Sequence, residues 1–279
     1  MSMQGKTTRA HLQTLLVLFF LAEGVRAEAP ADPPAPIRDN SFLLEEAYNQ
    51  EAGVVQHISA FSRERGSGEW NYTFTEECPV RGEVHQVSLT LPIQRPGSEN
   101  RERAGMGDML LNYRFQALGG SVGRTAFAPR VSLLLATGDE REGRGTGGTG
   151  LQLNLPLSLE IGRRFVAHSN AGATIIPSAR NAAGDQARLA GLNLGQSVIW
   201  LTRPGINVML EAAWTSWGEV TGPRETSRTS SFFLAPGVRG AINLRSGLQI
   251  VPGIAIPIGL GSSSGERGLF LYLSFEHAY

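Results

Sequence analysis

The chain has 279 residues, enough for one large all-β domain or two small domains. Its 25 Lys and Arg balance its 25 Asp and Glu, which gives no support for nucleic-acid binding, because that function needs a basic stripe. The single cysteine, Cys78, excludes an internal disulfide and a cysteine-based metal site within one chain.

Residues 1–27 have the pattern of a secretory signal peptide. Lys6 and Arg9 precede an apolar run from Leu12 to Ala22, and the segment from Val25 to Ala27 fits the small-x-small cleavage pattern. The apolar run is shorter than the ~20 residues that a membrane-spanning helix needs. We therefore predict an exported chain that is cleaved after Ala27.

Residues 28–52 separate this leader from the first predicted strand. Their first part, 28–38, is rich in Pro and Ala and is expected to be extended. The following residues predict one short helix, capped by Asn40 or Ser41. This helix would lie either at the mouth of a barrel or inside its lumen, where residues 41–50 would form a plug.

From Gly53 to the last residue, apolar and polar side chains alternate with a period of two, which is typical of strands with two different environments. The clearest example is 151–161, where Leu or Ile occupies most odd positions. The pattern predicts about twelve strands, near 54–63, 70–75, 85–93, 108–116, 126–137, 151–161, 165–176, 189–201, 206–215, 230–243, 248–258 and 268–279.

Strand length and loop length together indicate the architecture. Most of these strands have around ten to thirteen residues, longer than the usual five or six of a soluble sandwich. Short turns, such as 162–164 and 203–205, alternate with long polar loops, such as 177–187 and 218–229. We therefore predict an all-β fold over 53–279: an antiparallel transmembrane β-barrel with both termini on the periplasmic side.

Five prolines fall inside the predicted strands. Because proline has no backbone N–H, it cannot complete every hydrogen bond of a sheet. We therefore expect bulges or breaks at Pro129, Pro156, Pro236, Pro252 and Pro257.

In a membrane barrel, the polar members of the alternation face the lumen and the apolar members face lipid. Arg and Glu both occur among the polar members, so the set forms either an internal salt-bridge network or a path for a solute. The predicted lumen-lining residues are Asp108, Asn112, Arg114, Gln116, Arg130, Gln152, Asn154, Glu160, Asn170, Glu211, Arg239 and Glu276.

The signals for enzymatic or metal chemistry are weak. His168 and Ser169 lie in a stretch similar to one in outer-membrane lipid A deacylases, but neighbours on a strand face opposite sides and cannot act as base and nucleophile. The histidines outside the leader, at 57, 85, 168 and 277, have no ligand spacing. The glycine motif at 145–150 opens a strand rather than a helix. We predict no catalytic site, no metal site and no cofactor.

Several segments resemble a family of bacterial outer-membrane proteins associated with the meta-pathway of phenol degradation. They are Asp39–Glu51, Trp70–Glu77 with Pro79, Gly107–Gln116, Ala128–Arg130, Thr137–Asp139 and Asn154–Ser158. This resemblance covers nearly the whole chain after the leader. It implies an outer-membrane transporter barrel for small hydrophobic or aromatic molecules, and it carries over no binding residues. The last strand, Leu269–Tyr279, resembles the closing strand that the barrel-assembly machinery recognises.

We therefore predict a passive channel or transporter in the outer membrane of a bacterium. Its expected partners are outer-membrane lipid, lipopolysaccharide and a small-molecule solute, without nucleic acid. Two alternatives stay open: a structural or adhesion barrel whose outer loops bind partners, and a barrel hydrolase that acts on lipids.

Overall fold

A computed structural model describes residues 37, 41–97, 103–120 and 123–278. Twelve antiparallel strands form one closed β-barrel, which confirms the predicted fold class. Some strands consist of two segments with a short interruption. The strands are β1 (Val54–Glu64), β2 (Trp70–Val80), β3 (His85–Arg95), β4 (Gly105–Met106 and Met109–Phe115), β5 (Thr125–Phe127 and Arg130–Leu135), β6 (Gly150–Asn154 and Leu157–Ile161), β7 (Phe165–Arg180), β8 (Gln186–Arg203), β9 (Ile206–Gly222), β10 (Glu225–Gly240 and Ile242–Asn243), β11 (Gln249–Ala255 and Ile258–Gly259) and β12 (Gly268–Ala278).

Pairing between the first and last strands closes the barrel. β1 pairs with β12 along its whole length, from Val54 opposite Ala278 to Glu64 opposite Gly268, and with β2 on its other edge. A closed barrel leaves no edge strand with unpaired backbone groups. We call the end that carries Val54 and Ala278 the terminal end, and the opposite end the far end.

The strands place large apolar side chains on the outside of the barrel. Leu111, Leu194 and Ile161 are 49%, 53% and 54% exposed, so they do not pack in a core. Many inward-facing residues of the strands are polar and buried, as at Asn112 and Ser158. This arrangement excludes the soluble sandwich, in which the apolar face would lie between two sheets.

The largest buried apolar cluster of the described residues lies inside the barrel, in its terminal half, and a second one, around Leu134, Ile176 and Leu189, lies near the far end. In the larger cluster, Ile37 and Phe42, which precede the first strand, pack against Val251, Phe270 and Tyr272 of the wall. The interior is therefore filled partly by the chain that leads into β1.

Three of the five proline predictions are correct. The segments of β5, β6 and β11 are interrupted next to Pro129, Pro156 and Pro257, whereas Pro236 and Pro252 lie inside continuous strand segments. At Pro236 the carbonyl still accepts a hydrogen bond of 3.1 Å from the N–H of Ile256. A proline removes only a donor, so a strand continues where the acceptor is the group that its neighbour needs.

Two predicted long loops are wrong. β7 extends to Arg180 and β8 begins at Gln186, while β9 and β10 are joined by two residues, one of which, Arg224, has a φ of 62°. The sequence at 225–231 is polar on both faces and exposed, like a loop. It is nevertheless a strand, because backbone pairing with β9 satisfies its N–H and C=O groups.

Helical structure is limited to two short 3₁₀ turns among the described residues, Glu140–Glu142 and Gly261–Ser263. Asp139 caps the first turn by accepting hydrogen bonds from the N–H groups of Arg141 and Glu142. Over the same residues, the structure contains no helix with the length and hydrophobicity needed to cross a membrane.

The turn between β1 and β2 yields a pH-dependent prediction. Partial burial of the carboxyl, followed by the charges of Glu64 and Glu266, raises the pKa of Glu69. The ionised form is therefore disfavoured in the folded state, and the stabilising contribution of this carboxyl is lost as the pH rises through its folded pKa.

We expect Glu69→Gln to stabilise the barrel at pH 7 by less than about 0.5 kcal/mol, the usual limit for an exposed side chain. The gain over the wild type should disappear when the pH falls well below 4.5, the ordinary pKa of this side chain. Thermal unfolding of the refolded protein, followed by circular dichroism, measures both effects. A variant that is less stable than the wild type at pH 7 would contradict this assignment.

Candidate functional site

The candidate site is the lumen, together with the chain segment that lies inside it. We call Ile37 and residues 41–50 the inner segment. It contains no helix, so the helix predicted for this stretch is wrong. The physical reason is that side chains of the barrel wall accept its backbone N–H groups, which a helix would have used internally.

Glu211 of β9 makes the most concentrated of these contacts. Its two carboxylate oxygens accept the N–H groups of Phe42 and Leu43 at 3.0 and 2.7 Å, and its side chain is fully buried. Other strands supply further acceptors from around the barrel. The N–H groups of Glu45, Ala47, Asn49 and Gln50 donate to Asn170, Ser158, Gln116 and Gln86 at 2.7 to 3.0 Å.

The carbonyl groups of the inner segment are bound in the same way. Arg114 donates to the carbonyl oxygens of Glu46 and Tyr48 at 3.2 and 3.1 Å, and its Nε donates to Asn49. Gln116 and Asn170 each donate to one carbonyl of the segment and accept one of its N–H groups, so each side chain holds the segment's backbone at two points. At the start of the segment, Asn207 and Arg239 donate to the carbonyl of Ile37.

Glycines in the wall make room for the apolar side chains of the segment. A Cβ at Gly253 would lie 2.5 Å from two ring carbons of Phe42, and one at Gly195 would lie 2.0 Å from a methyl carbon of Leu44. The Phe42 ring also lies 5.6 Å from the ring of Tyr272. A glycine inside a strand is often the site of such a close approach.

Two ion pairs lie at the boundary between the inner segment and the wall. Arg130 contacts Glu45 of the segment at 2.6 Å, and Arg114 contacts Glu77 of β2 at 3.2 Å. Arg130 also donates to Asn112 and Gln152 on neighbouring strands. These three contacts hold the guanidinium group of Arg130 between the wall and the inner segment.

Two hollows border the inner segment, and the Arg130–Glu45 pair lines both. One, of about 260 Å³, is lined by the amides of Gln152, Asn154 and Asn193 together with Trp217. The other, of about 210 Å³, is lined largely by the hydroxyl groups of β2 and β3 and by polar residues of β4. Both hollows therefore offer hydrogen-bonding groups to a solute.

Eleven of the twelve residues predicted to line the lumen point inward. Nine of them lie around the inner segment and the hollows: Asn112, Arg114, Gln116, Arg130, Gln152, Asn154, Asn170, Glu211 and Arg239. Glu160 and Glu276 lie nearer the terminal end, where Glu276 accepts a hydrogen bond from Gln56. Asp108 lies at the far end and accepts from Gly138 and Thr146, so it holds a loop instead. Their part in solute passage stays a prediction.

The sequence interpretation missed a buried serine–histidine pair. Ser158 of β6 and His168 of β7 are opposite each other, with Oγ and Nδ1 2.7 Å apart, and both are fully buried. Ser169 points the other way and bonds to Gln196, as expected for neighbours on a strand. The signal that would have revealed the pair is the pairing register of β6 with β7, which cannot be read from neighbouring residues within one strand.

Among the described residues, metal-binding clusters of three or more ligands are also absent. Over residues 41–97, 103–120 and 123–278, no group of three or more His, Cys, Asp and Glu side chains is arranged to hold an ion.

The Ser158 hydroxyl accepts the N–H of Ala47, so the serine–histidine pair contacts the inner segment directly. Around the inner segment, the described lumen is therefore a hydrogen-bonding surface that the protein's own chain occupies.

Comparison with known proteins relates the fold to outer-membrane channels. No family model matches the chain and no curated relative matches it, so the resemblance to the phenol meta-pathway family stays a prediction. An outer-membrane channel from Pseudomonas putida F1 superposes with a TM-score of 0.62 at 11% identity, covering 84% of this chain and 98% of the channel. The NanC porin superposes with a TM-score of 0.54 at 8% identity, covering 78% of this chain and 98% of the porin. At these identities the likeness shows the fold alone, a porin-like barrel.

Glu211 provides a first test of how the segment is held. Glu211→Gln leaves one acceptor oxygen for two N–H groups, and a hydrogen bond to a charged group contributes about 1.5–3 kcal/mol. We expect amide hydrogen exchange at residues 42 and 43 to become at least about tenfold faster, since 1.4 kcal/mol corresponds to a factor of ten.

Exchange in the refolded protein is measured by mass spectrometry. Glu219→Gln, on the exposed part of the same strand, is the matched control and should leave the exchange unchanged. Equal protection of residues 42 and 43 in wild type and Glu211→Gln would show that the carboxylate does not hold the segment.

Gly253 provides a second test, because its missing side chain makes room for Phe42. Gly253→Ala places a methyl group 2.5 Å from the ring and should displace it, at the cost of about 1–3 kcal/mol that is typical of overpacking. Gly240→Ala is the control, since the nearest atom to its new methyl is 3.5 Å away. Both variants are made in a protein that also carries Cys78→Ser and Ser41→Cys. We expect the thiol at position 41 to react faster with a thiol reagent when Gly253→Ala is present than when Gly240→Ala is present. Equal rates would contradict the docking of Phe42.

Proposed function

We propose that the protein is a passive channel of a bacterial outer membrane that the inner segment closes from the terminal end. The observation that carries this proposal is a polar lumen whose terminal half is filled by an extended segment held through hydrogen bonds. A permanently sealed barrel would be expected to fill its interior with wall side chains, as eight-stranded barrels do.

The outer surface supports the location in a membrane. Leucine, isoleucine, valine and aromatic residues are exposed on the outward face of most strands. In water such a belt would be unfavourable, whereas lipid chains solvate it. At the terminal end, Phe165 and Trp200 stack with ring centroids 6.5 Å apart, which suits the aromatic girdle at a membrane interface.

Hydrogen bonding makes the closure reversible. Each contact of the inner segment with the wall can be exchanged for a contact with water, so the net free energy per hydrogen bond is about 0.5–1.5 kcal/mol between neutral groups and about 1.5–3 kcal/mol at the charged groups. Release of the segment would leave Arg114, Arg130 and Glu211 lining a hydrated passage. A segment held in this way is suited to act as a plug.

The hollows favour solutes that combine a compact apolar part with hydrogen-bonding groups. Trp217 and Leu44 offer apolar surface in the larger hollow, beside the amides of Asn154 and Asn193. A small aromatic solute with a polar substituent fits both features, which agrees with the resemblance to the phenol meta-pathway family. Asn154 accepts from Asn193 and donates to Asn170, and a purely hydrophobic solute would shield the remaining hydrogen-bonding capacity of these amides from water, which is unfavourable.

The Ser158–His168 pair has a structural role in this proposal. The hydroxyl forms a hydrogen bond with Nδ1 of His168 and accepts the N–H of Ala47, so it orients the inner segment. Because both side chains are fully buried, a substrate reaches them only after the segment leaves. The pair is the one specific observation in favour of the hydrolase alternative.

Conductance in planar lipid bilayers tests the channel. We expect small or rare openings for the wild type and large, lasting openings for a variant that lacks residues 41–50. A second variant, with Cys78→Ser, Ala47→Cys and Ala126→Cys, is designed to join the segment to the wall by a disulfide, because the Ala47 and Ala126 side chains belong to the same buried cluster. It should stay closed until a reductant is added.

Solute passage is measured in liposomes with arabinose and with 4-hydroxybenzoate. The proposal predicts faster passage of both after release of the segment. If the wild type, the deletion variant and the reduced double-cysteine variant all fail to conduct although they are folded, the barrel is sealed and the channel proposal is wrong.

A further inference from the structure

Two histidines meet on the outside of the barrel, at the seam between its first and last strands. His57 lies on β1 and His277 on β12, and their side chains point away from the lumen near the terminal end. Their Nε2 atoms are 3.2 Å apart, and their ring centroids are 5.3 Å apart. Neither residue takes part in the lumen or its inner segment.

The other ring nitrogen of each histidine faces an acceptor. Nδ1 of His277 donates to the carbonyl oxygen of Ala278 at 3.1 Å, and Nδ1 of His57 faces the carboxylate of Glu76 at 3.7 Å. Each ring can therefore carry its proton on Nδ1, which leaves the lone pair of Nε2 available to a ligand. In that tautomer a cation between the two Nε2 atoms would bind both lone pairs.

The distance between the two nitrogens suits a metal ion. Imidazole nitrogen binds zinc at about 2.0–2.1 Å, and two such bonds at a near-tetrahedral angle separate the nitrogens by roughly 3.2–3.4 Å. The observed separation of 3.2 Å lies in that range. The spacing of the two nitrogens therefore fits an ion that binds both of them.

The residues around His57 and His277 also suit the binding of a metal ion. Metal-bound histidines usually donate their second N–H to a carboxylate or a backbone carbonyl, which fixes the ring, and Glu76 and Ala278 are such acceptors. Phe74 stacks on His57 with the ring centroids 6.1 Å apart and limits its rotation. The His57 side chain is 30% exposed, so an ion can approach it from the rim.

We propose that His57 and His277 bind one divalent transition-metal ion of the kind that imidazole prefers, such as Cu²⁺, Ni²⁺ or Zn²⁺. Two protein ligands leave the other coordination positions to water. The ion would join β1 to β12 and so stabilise the closure of the barrel. This site is independent of solute passage through the lumen.

The experiment uses the full-length chain after the leader, without a histidine tag, refolded in detergent and freed of metal by a chelator. Cu²⁺ is titrated with electron paramagnetic resonance, which detects bound nitrogen, and Zn²⁺ with calorimetry. We expect one ion per barrel, a signal from two imidazole nitrogens, and a higher thermal midpoint with metal, because an ion that binds only the folded state stabilises it.

Variants locate the site. His57→Ala and His277→Ala should each weaken binding at least about a hundredfold, and Glu76→Gln should weaken it about tenfold, in line with other carboxylates that support a ligand. His85→Ala is the matched control, because His85 is also outward-facing near the terminal end but bonds to Tyr113 at 2.7 Å. It should bind like the wild type. Heat-dependent migration in gels checks that each variant forms a barrel.

Several results would overturn the proposal. Absence of binding by the folded wild type at millimolar Cu²⁺ and Zn²⁺ would do so, as would binding that survives either His57→Ala or His277→Ala. Loss of binding in His85→Ala would place the ion elsewhere. Unchanged affinity in Glu76→Gln would contradict the part assigned to the carboxylate.

Discussion

The structure depends on how the backbone of the inner segment is paired inside the barrel. An extended chain in a lumen cannot satisfy its own N–H and C=O groups, and each group left unpaired costs free energy. Here the wall supplies the partners: Glu211 binds two adjacent N–H groups, and Arg114 binds two carbonyls. Polar side chains at the inward positions are therefore needed to bind the backbone of the segment as much as to bind water. The same side chains would line the passage if the segment left.

Closure of the barrel sets the position of that segment. The inner segment ends only a few residues before β1, and Gln50 bonds to Gln56 on that strand at 2.8 Å. Gln56 in turn donates to Glu276 of β12, across the seam. On the opposite side of the same seam, the outward alternation places His57 next to His277. Pairing of β1 with β12 thus organises one polar cluster inside the barrel and another outside it.

Apolar contacts complement this polar pairing. Phe42 and Leu44 dock against strand positions that have no side chain, at Gly253 and Gly195. A larger residue at either position would occupy the same volume and exclude the segment. Shape complementarity therefore selects the place where the segment lies, while hydrogen bonds fix its backbone.

The sequence by itself determined the twelve strands, the inward and outward faces and the interruptions at Pro129, Pro156 and Pro257. These features are local: a period of two records the environment on each side of a strand, and proline acts on its own backbone. Only the tertiary structure decided the rest. The residues around Phe42 have a helical pattern, but acceptors from distant strands hold them extended; polar residues at 225–231 resemble a loop, but β9 pairs with them. The contacts between Ser158 and His168, and between His57 and His277, arise from strand register and ring closure, which join residues that no local pattern relates.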